Sequence, residues 1–142
     1  MRPCIGAILV MVLLILPMAY ADIPCPPGVC AADPFVDFVV ALILTIAIEA
    51  IVLFLILRKE YGTMTIARNA LIASSLTLPF VWFVFGGLGL PWTIKTAMAE
   101  GFAVLVEAGF YKLAFKGMTI EKALIASFIC NAVSFIIGLA LL

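Results

Sequence analysis

The sequence predicts an all-α membrane protein. Four transmembrane helices form two tandem two-helix repeats, related by a parallel pseudo-two-fold axis along the membrane normal and preceded by a signal peptide. Three observations predict this. Apolar residues make up 67% of the 142 residues and charged residues 11%, against about 25% charged in ordinary soluble domains. Four apolar segments, 35–57, 70–90, 93–115 and 120–142, reach the length of about 20 residues that crosses a bilayer. The pentapeptide ALIAS occurs twice, at 70–74 and 123–127.

The N-terminal segment, 1–21, has Arg2, an apolar run from Ile5 to Leu16, Pro17, and then Ala19-Tyr20-Ala21 before Asp22. A positive start, a short apolar core and small residues at a cut site define a secretory signal peptide; the alternative is an uncleaved N-terminal helix. Residues 22–34 form a Pro-rich extracytoplasmic segment in which Pro24, Pro26 and Pro27 exclude helix. Cys25 and Cys30 lie there, in oxidising surroundings, and are expected to close a small disulfide loop. Their spacing is neither the C-x-x-C redox motif nor a haem-attachment motif. Cys130 lies in an apolar helix and is expected to pack as a small hydrophobe.

The first hairpin repeat covers 35–90 and the second 91–142. Their short joints make consecutive helices antiparallel neighbours. The GGLGLP joint, 86–91, reads as a tight turn. Pro79 should kink the second span and free a backbone carbonyl. Thr65 and Thr119 are expected N-caps. Arg58, Lys59 and Arg68 flank the first joint, and Lys112, Lys116 and Lys122 the third; the other side has only Lys95 among acids. Basic residues stay in the cytoplasm. The reading is a multi-pass cell-membrane protein whose mature N-terminus and C-terminus are extracytoplasmic.

The repeat aligns IEAIVLFLILR, 48–58, with VEAGFYKLAFK, 106–116, and so sets Glu49 on Glu107. Each lies nine residues before a basic residue, roughly 14 Å along a helix and hence near mid-membrane. An ionised acid there costs about 2.5–3.5 kcal/mol on insertion scales. Each must face protein or water, or be protonated. Ser127, Asn131 and Ser134 share one face of the last span at matching depth, and Asn131 with Glu107 is the favoured pair. Ser74, Ser75 and Thr77 offer similar groups in the first repeat. Glu100, seven residues before Glu107, lies on nearly the same face about 10 Å farther outward. Small residues beside these acids, including Gly101 and Gly109, let helices approach closely.

These residues point to ion or proton binding by Glu49, Glu107, Glu100, Asn131, Ser127 and Ser134, and to a transport-type function. The alternative is a non-catalytic subunit or assembly factor of a larger complex, with the glutamates as interhelical hydrogen-bond groups. Four spans rarely enclose a solute route alone, so the lipid bilayer is joined as partner by a second copy or other membrane subunits. The zero net charge gives no reason to expect nucleic acid. With no His, no nucleotide loop and no metal-ligand cluster, the sequence offers no catalytic centre, cofactor site or metal site.

Overall fold

Helix α1 spans Pro34–Leu57 and ends where the apolar run meets Arg58. Helix α2 spans Thr63–Pro79 and runs on into a π segment, Phe80–Phe85; α3 spans Trp92–Ala114 and α4 spans Ile120–Leu141. The structure is a computed structural model and describes residues 34–141. The expected signal peptide, the Pro-rich segment and Cys25 with Cys30 lie outside the described residues.

The chain is all-helical over that range, and three of its helical stretches, Phe35–Leu57, Thr63–Phe85 and Ile120–Ala140, are long and apolar enough to cross a membrane. Helix α3, expected as the fourth span, is long enough at 23 residues. It is less apolar because Lys95, Glu100, Glu107 and Lys112 place three or more charges in any 18-residue stretch. Two of those charges turn inward, as described below.

The second apolar stretch starts seven residues earlier than its hydropathy suggested, at Thr63 in place of residue 70. Arg68 and Asn69 are polar but do not break a helix, so the helix begins directly after Gly62. Gly62 is the N-cap; Thr65 therefore lies inside the first turn and is not the cap. Thr119 does cap α4: its Oγ1 accepts the Lys122 backbone N–H at 3.3 Å. Pro79 has no N–H, so the α-helical ladder loses a donor there and rewinds as a π segment closed by Gly86 N–H to Val81 O at 3.2 Å. A Cβ on Gly86 would run into the Trp82 carbonyl oxygen, so the wide turn needs glycine at its exit.

The helices close a ring in which α1 packs on α2, α2 on α3, α3 on α4 and α4 on α1. The two ends of this ring differ. At the basic end Leu53, Leu57, Ile66, Tyr111, Phe115 and Met118 form one buried cluster with small residues between them. Small residues such as Ala70, Ala73, Ala108, Ala123 and Ala126 let the backbones approach there. Tyr61 fixes the two joints of this end to each other: its hydroxyl donates to Lys116 O at 3.1 Å and its ring lies 4.8 Å from Phe115. Lys122 also pairs with Glu60. Gly117, at φ +83°, makes the αL turn between α3 and α4. No comparable plug fills the opposite end among the described residues.

Candidate functional site

Glu49 is 0% and Glu107 1% exposed, so both carboxyls point into the ring and not toward its apolar outer surface. The ring supplies hydrogen-bonding groups from α2 and α4. Ser74 Oγ donates to Glu49 Oε2 at 2.5 Å, and Ser134 Oγ to Glu49 Oε1 at 3.3 Å. Thr77 Oγ1 donates to Glu107 Oε1 at 2.8 Å. Asn131 Nδ2 donates to Glu107 Oε2 at 2.5 Å, and Ser127 Oγ approaches the same oxygen at 3.3 Å. The expected Asn131–Glu107 pair is therefore present.

Ser134 bonds to Glu49 in place of Glu107, although it shares a helix face with Asn131. The crossing follows from the ring: α4 touches both α1 and α3, and Ser134 lies a turn beyond Asn131 on the α1 side. Thr77 crosses in the same manner from α2 to Glu107. Ser74 and Thr77 complete the network, and Ser75 is exposed. Their spacing of three residues, on one helix face, is the sequence signal that separates them from Ser75.

The hydroxyls have alternatives. Each carries one hydrogen, and each also faces a backbone carbonyl: Ser74 faces Ala70 O at 2.9 Å, Thr77 faces Ala73 O at 3.2 Å, Ser127 faces Val104 O at 3.0 Å and Ser134 faces Asn131 O at 3.0 Å. A hydroxyl that turns to its carbonyl still offers lone pairs to the acid. The same four side chains can thus serve either protonation state of the glutamates by rotating about one bond. Asn131 is different. Its amide donates one hydrogen to Glu107 and has Ser127 O at 3.0 Å for the other.

Both glutamates line a cavity of about 510 Å3 that occupies the end of the ring opposite the apolar plug. Thr77, Asn131 and Ser134 also line it. Glu100 lies on its wall, two turns of α3 from Glu107, half-buried and with no hydrogen bond or ion pair among the described residues. The structure therefore brings Glu49, Glu107, Ser127, Asn131 and Ser134 into one network and sets Glu100 apart in the same cavity. Among the described residues no three His, Cys, Asp or Glu side chains are grouped to hold a metal ion.

Two buried polar atoms stand outside the network. Tyr111 Oη and Asn69 Nδ2 have no hydrogen-bond partner among the described residues. A buried unpaired hydroxyl destabilises a fold. Tyr111→Phe is expected to raise stability by about 1 kcal/mol, since it removes that hydroxyl and keeps the ring. A thermal melt in detergent checks this, and a lowered midpoint would show that the hydroxyl has a partner in solution. Cys130 is buried and not in a disulfide; it packs as a small residue whose thiol donates a weak hydrogen bond to Glu49 O at 3.8 Å.

No protein-family model, curated protein or solved structure matches the chain. The chain is a helical, membrane-compatible ring with buried glutamates hydrogen-bonded to Ser, Thr and Asn.

Proposed function

We propose that the protein moves a cation or protons across a cell membrane, with Glu49, Glu107 and Glu100 as the carrying groups and Asn131, Ser127 and Ser134 as the groups that orient them. The observation that carries this reading is the position of the acids. They line a cavity that is plugged by Leu57, Tyr111, Phe115 and Met118 at one end of the ring and, among the described residues, not at the other. A carrier that alternates access holds its site near mid-membrane with one side shut. The groups around the acids also suit exchange, because rotating hydroxyls accommodate gain and loss of a proton without repacking.

The reading includes a duplicated hairpin. Ser74 and Ser127 occupy the same place in the two copies of ALIAS, and each bonds the glutamate of its own copy. Each glutamate also receives a hydroxyl from the other copy, Ser134 for Glu49 and Thr77 for Glu107. This pattern supports a pseudo-two-fold axis between the acids, along the membrane normal. With α3 counted as a fourth span, the basic joints face the cytoplasm and the cavity opens to the outside. The exposed apolar side chains of α3, such as Met98 and Leu105, suit contact with lipid and with a second copy.

Flux in sealed proteoliposomes tests the function. The parent is expected to dissipate an imposed proton or cation gradient, and Glu49→Gln to slow that flux by an order of magnitude or more while remaining folded, since Ser74 can turn to Ala70 O. Equal flux in the two proteins would remove Glu49 from the pathway. A parent with no flux of any cation, copurifying with an unrelated membrane protein at fixed ratio, would favour the subunit role.

A further inference from the structure

We infer that the cavity binds an organic cation with an aromatic or bulky apolar body, and that Glu100 is its counter-charge. This rests on the reading of the cavity as the cation's route, and narrows the cation. Three features lead to it. The first is size: about 510 Å3 falls inside the range of about 300–1,000 Å3 that holds drug-sized ligands, and a bare inorganic ion would need only a close shell of oxygens. No such shell is present among the described residues, because Glu49 and Glu107 direct their oxygens to hydroxyl and amide donors. The second is the wall. Trp82, Phe85, Trp92 and Phe135 line the cavity together with aliphatic side chains, and aromatic faces attract cations that are weakly hydrated.

The third is the unpaired carboxyl. Glu100 has no partner among the described residues, and the nearby Lys95 directs its Nζ to Gly86 O at 3.3 Å. A carboxyl on an aromatic wall without a partner of its own has the chemistry of a counter-ion for a positive headgroup. Glu49 and Glu107, deeper and already bonded, are left to exchange protons. Occupation of the cavity by a cation and protonation of the acids then compete, which is how a small carrier couples one to the other.

The chain has two tryptophans, Trp82 and Trp92, and both line the cavity. Their fluorescence therefore reports its occupancy. Purified full-length protein in a neutral detergent is titrated with benzyltriethylammonium, with benzyl alcohol as the uncharged control and NaCl, KCl and CaCl2 as inorganic controls. Saturable quenching by the quaternary ammonium is expected, about tenfold weaker in Glu100→Gln and weakened also in Phe135→Leu, which keeps both tryptophans. Leu113→Ala, on the outer surface, should bind as the parent does. Quenching that is not saturable, or equal affinity in Glu100→Gln, Phe135→Leu and the parent, would overturn the inference. So would saturable quenching by an inorganic cation with none by the ammonium; flux in proteoliposomes would then still uphold the transport reading. Absence of all flux beside saturable ammonium binding would overturn transport and leave the binding site standing.

Discussion

Phe115→Ala is expected to lower the stability of the folded protein by about 3 kcal/mol and to make reconstituted vesicles leaky. Phe115 is 1% exposed and stands between Tyr61 and Tyr111, with ring centroids at 4.8 and 5.9 Å. Truncating a buried Phe in a soluble core costs about 3–5 kcal/mol, from lost transfer energy and the void left behind. Here the lower end applies. A membrane protein that comes apart in detergent or lipid does not expose its side chains to water, so most of the transfer part disappears. The loss of dispersion attraction around the void remains. The void would lie in the plug between the acids and the basic end. Water that fills it shortens the barrier, so passive leak should rise along with the loss of stability. Leu113→Ala, two residues away and 87% exposed, is the control and should stay within about 0.5 kcal/mol of the parent. Unfolding in detergent and passive dye leak measure the two effects. A destabilised but tight Phe115→Ala would show that Leu57 and Met118 seal the end without it.

The plug also shows which parts of this protein are written locally in the chain. Helix positions follow from runs of Leu, Ile, Val, Ala and Phe, because each run buries its own backbone hydrogen bonds whatever its neighbours do. Glycine and proline at 86–91 end one helix and permit the next to begin at Trp92. The start of α2 was not legible in the same way. Hydropathy marks the lipid boundary, and Thr63 to Asn69 continue the helix past it, which leaves only a short turn after Leu57. Nor did apolar content suffice for α3. Two of its charges, Glu107 and Glu100, turn to the cavity inside the ring, which no window of sequence records.

The candidate site divides along the same line. Asn131 with Glu107 could be paired from depth and helix adjacency alone. The crossed bonds, Ser134 to Glu49 and Thr77 to Glu107, depend on which helices meet around the ring, and the repeat by itself favours bonds within each copy. The cavity is a property of the assembled ring as well. Trp82 packs against Phe38, with ring centroids 5.8 Å apart, and also forms part of the cavity wall. One side chain thus takes both roles, because the π segment that follows Pro79 carries it around the end of the ring.

Glu107 offers the decisive pair of substitutions, since polar satisfaction and proton chemistry can be separated there. In Glu107→Leu the hydroxyls of Thr77 and Ser127 turn to Ala73 O and Val104 O, at 3.2 and 3.0 Å, and lose little. The Asn131 amide keeps Ser127 O at 3.0 Å and is left with only the longer contact to Ser127 Oγ at 3.3 Å in place of the carboxylate. Exchanging a charged acceptor for that weaker one should cost about 1 kcal/mol. In Glu107→Gln the amide oxygen accepts from Asn131 and the amide nitrogen donates to Thr77 Oγ1, while Thr77 donates to Ala73 O. Stability should then match the parent within about 0.5 kcal/mol. Flux should be lost in both, because neither side chain can take up and release a proton. Thermal melts and proteoliposome flux on the same preparations read the two axes. If Glu107→Gln is as stable as the parent and still transports like it, Glu107 is an anchor for Asn131 and no carrier. If Glu107→Leu melts with Glu107→Gln, the amide finds another partner and the network does not hold the helices. A stable Glu107→Gln without flux would assign to Glu107 the one property glutamine lacks, a proton or charge that comes and goes.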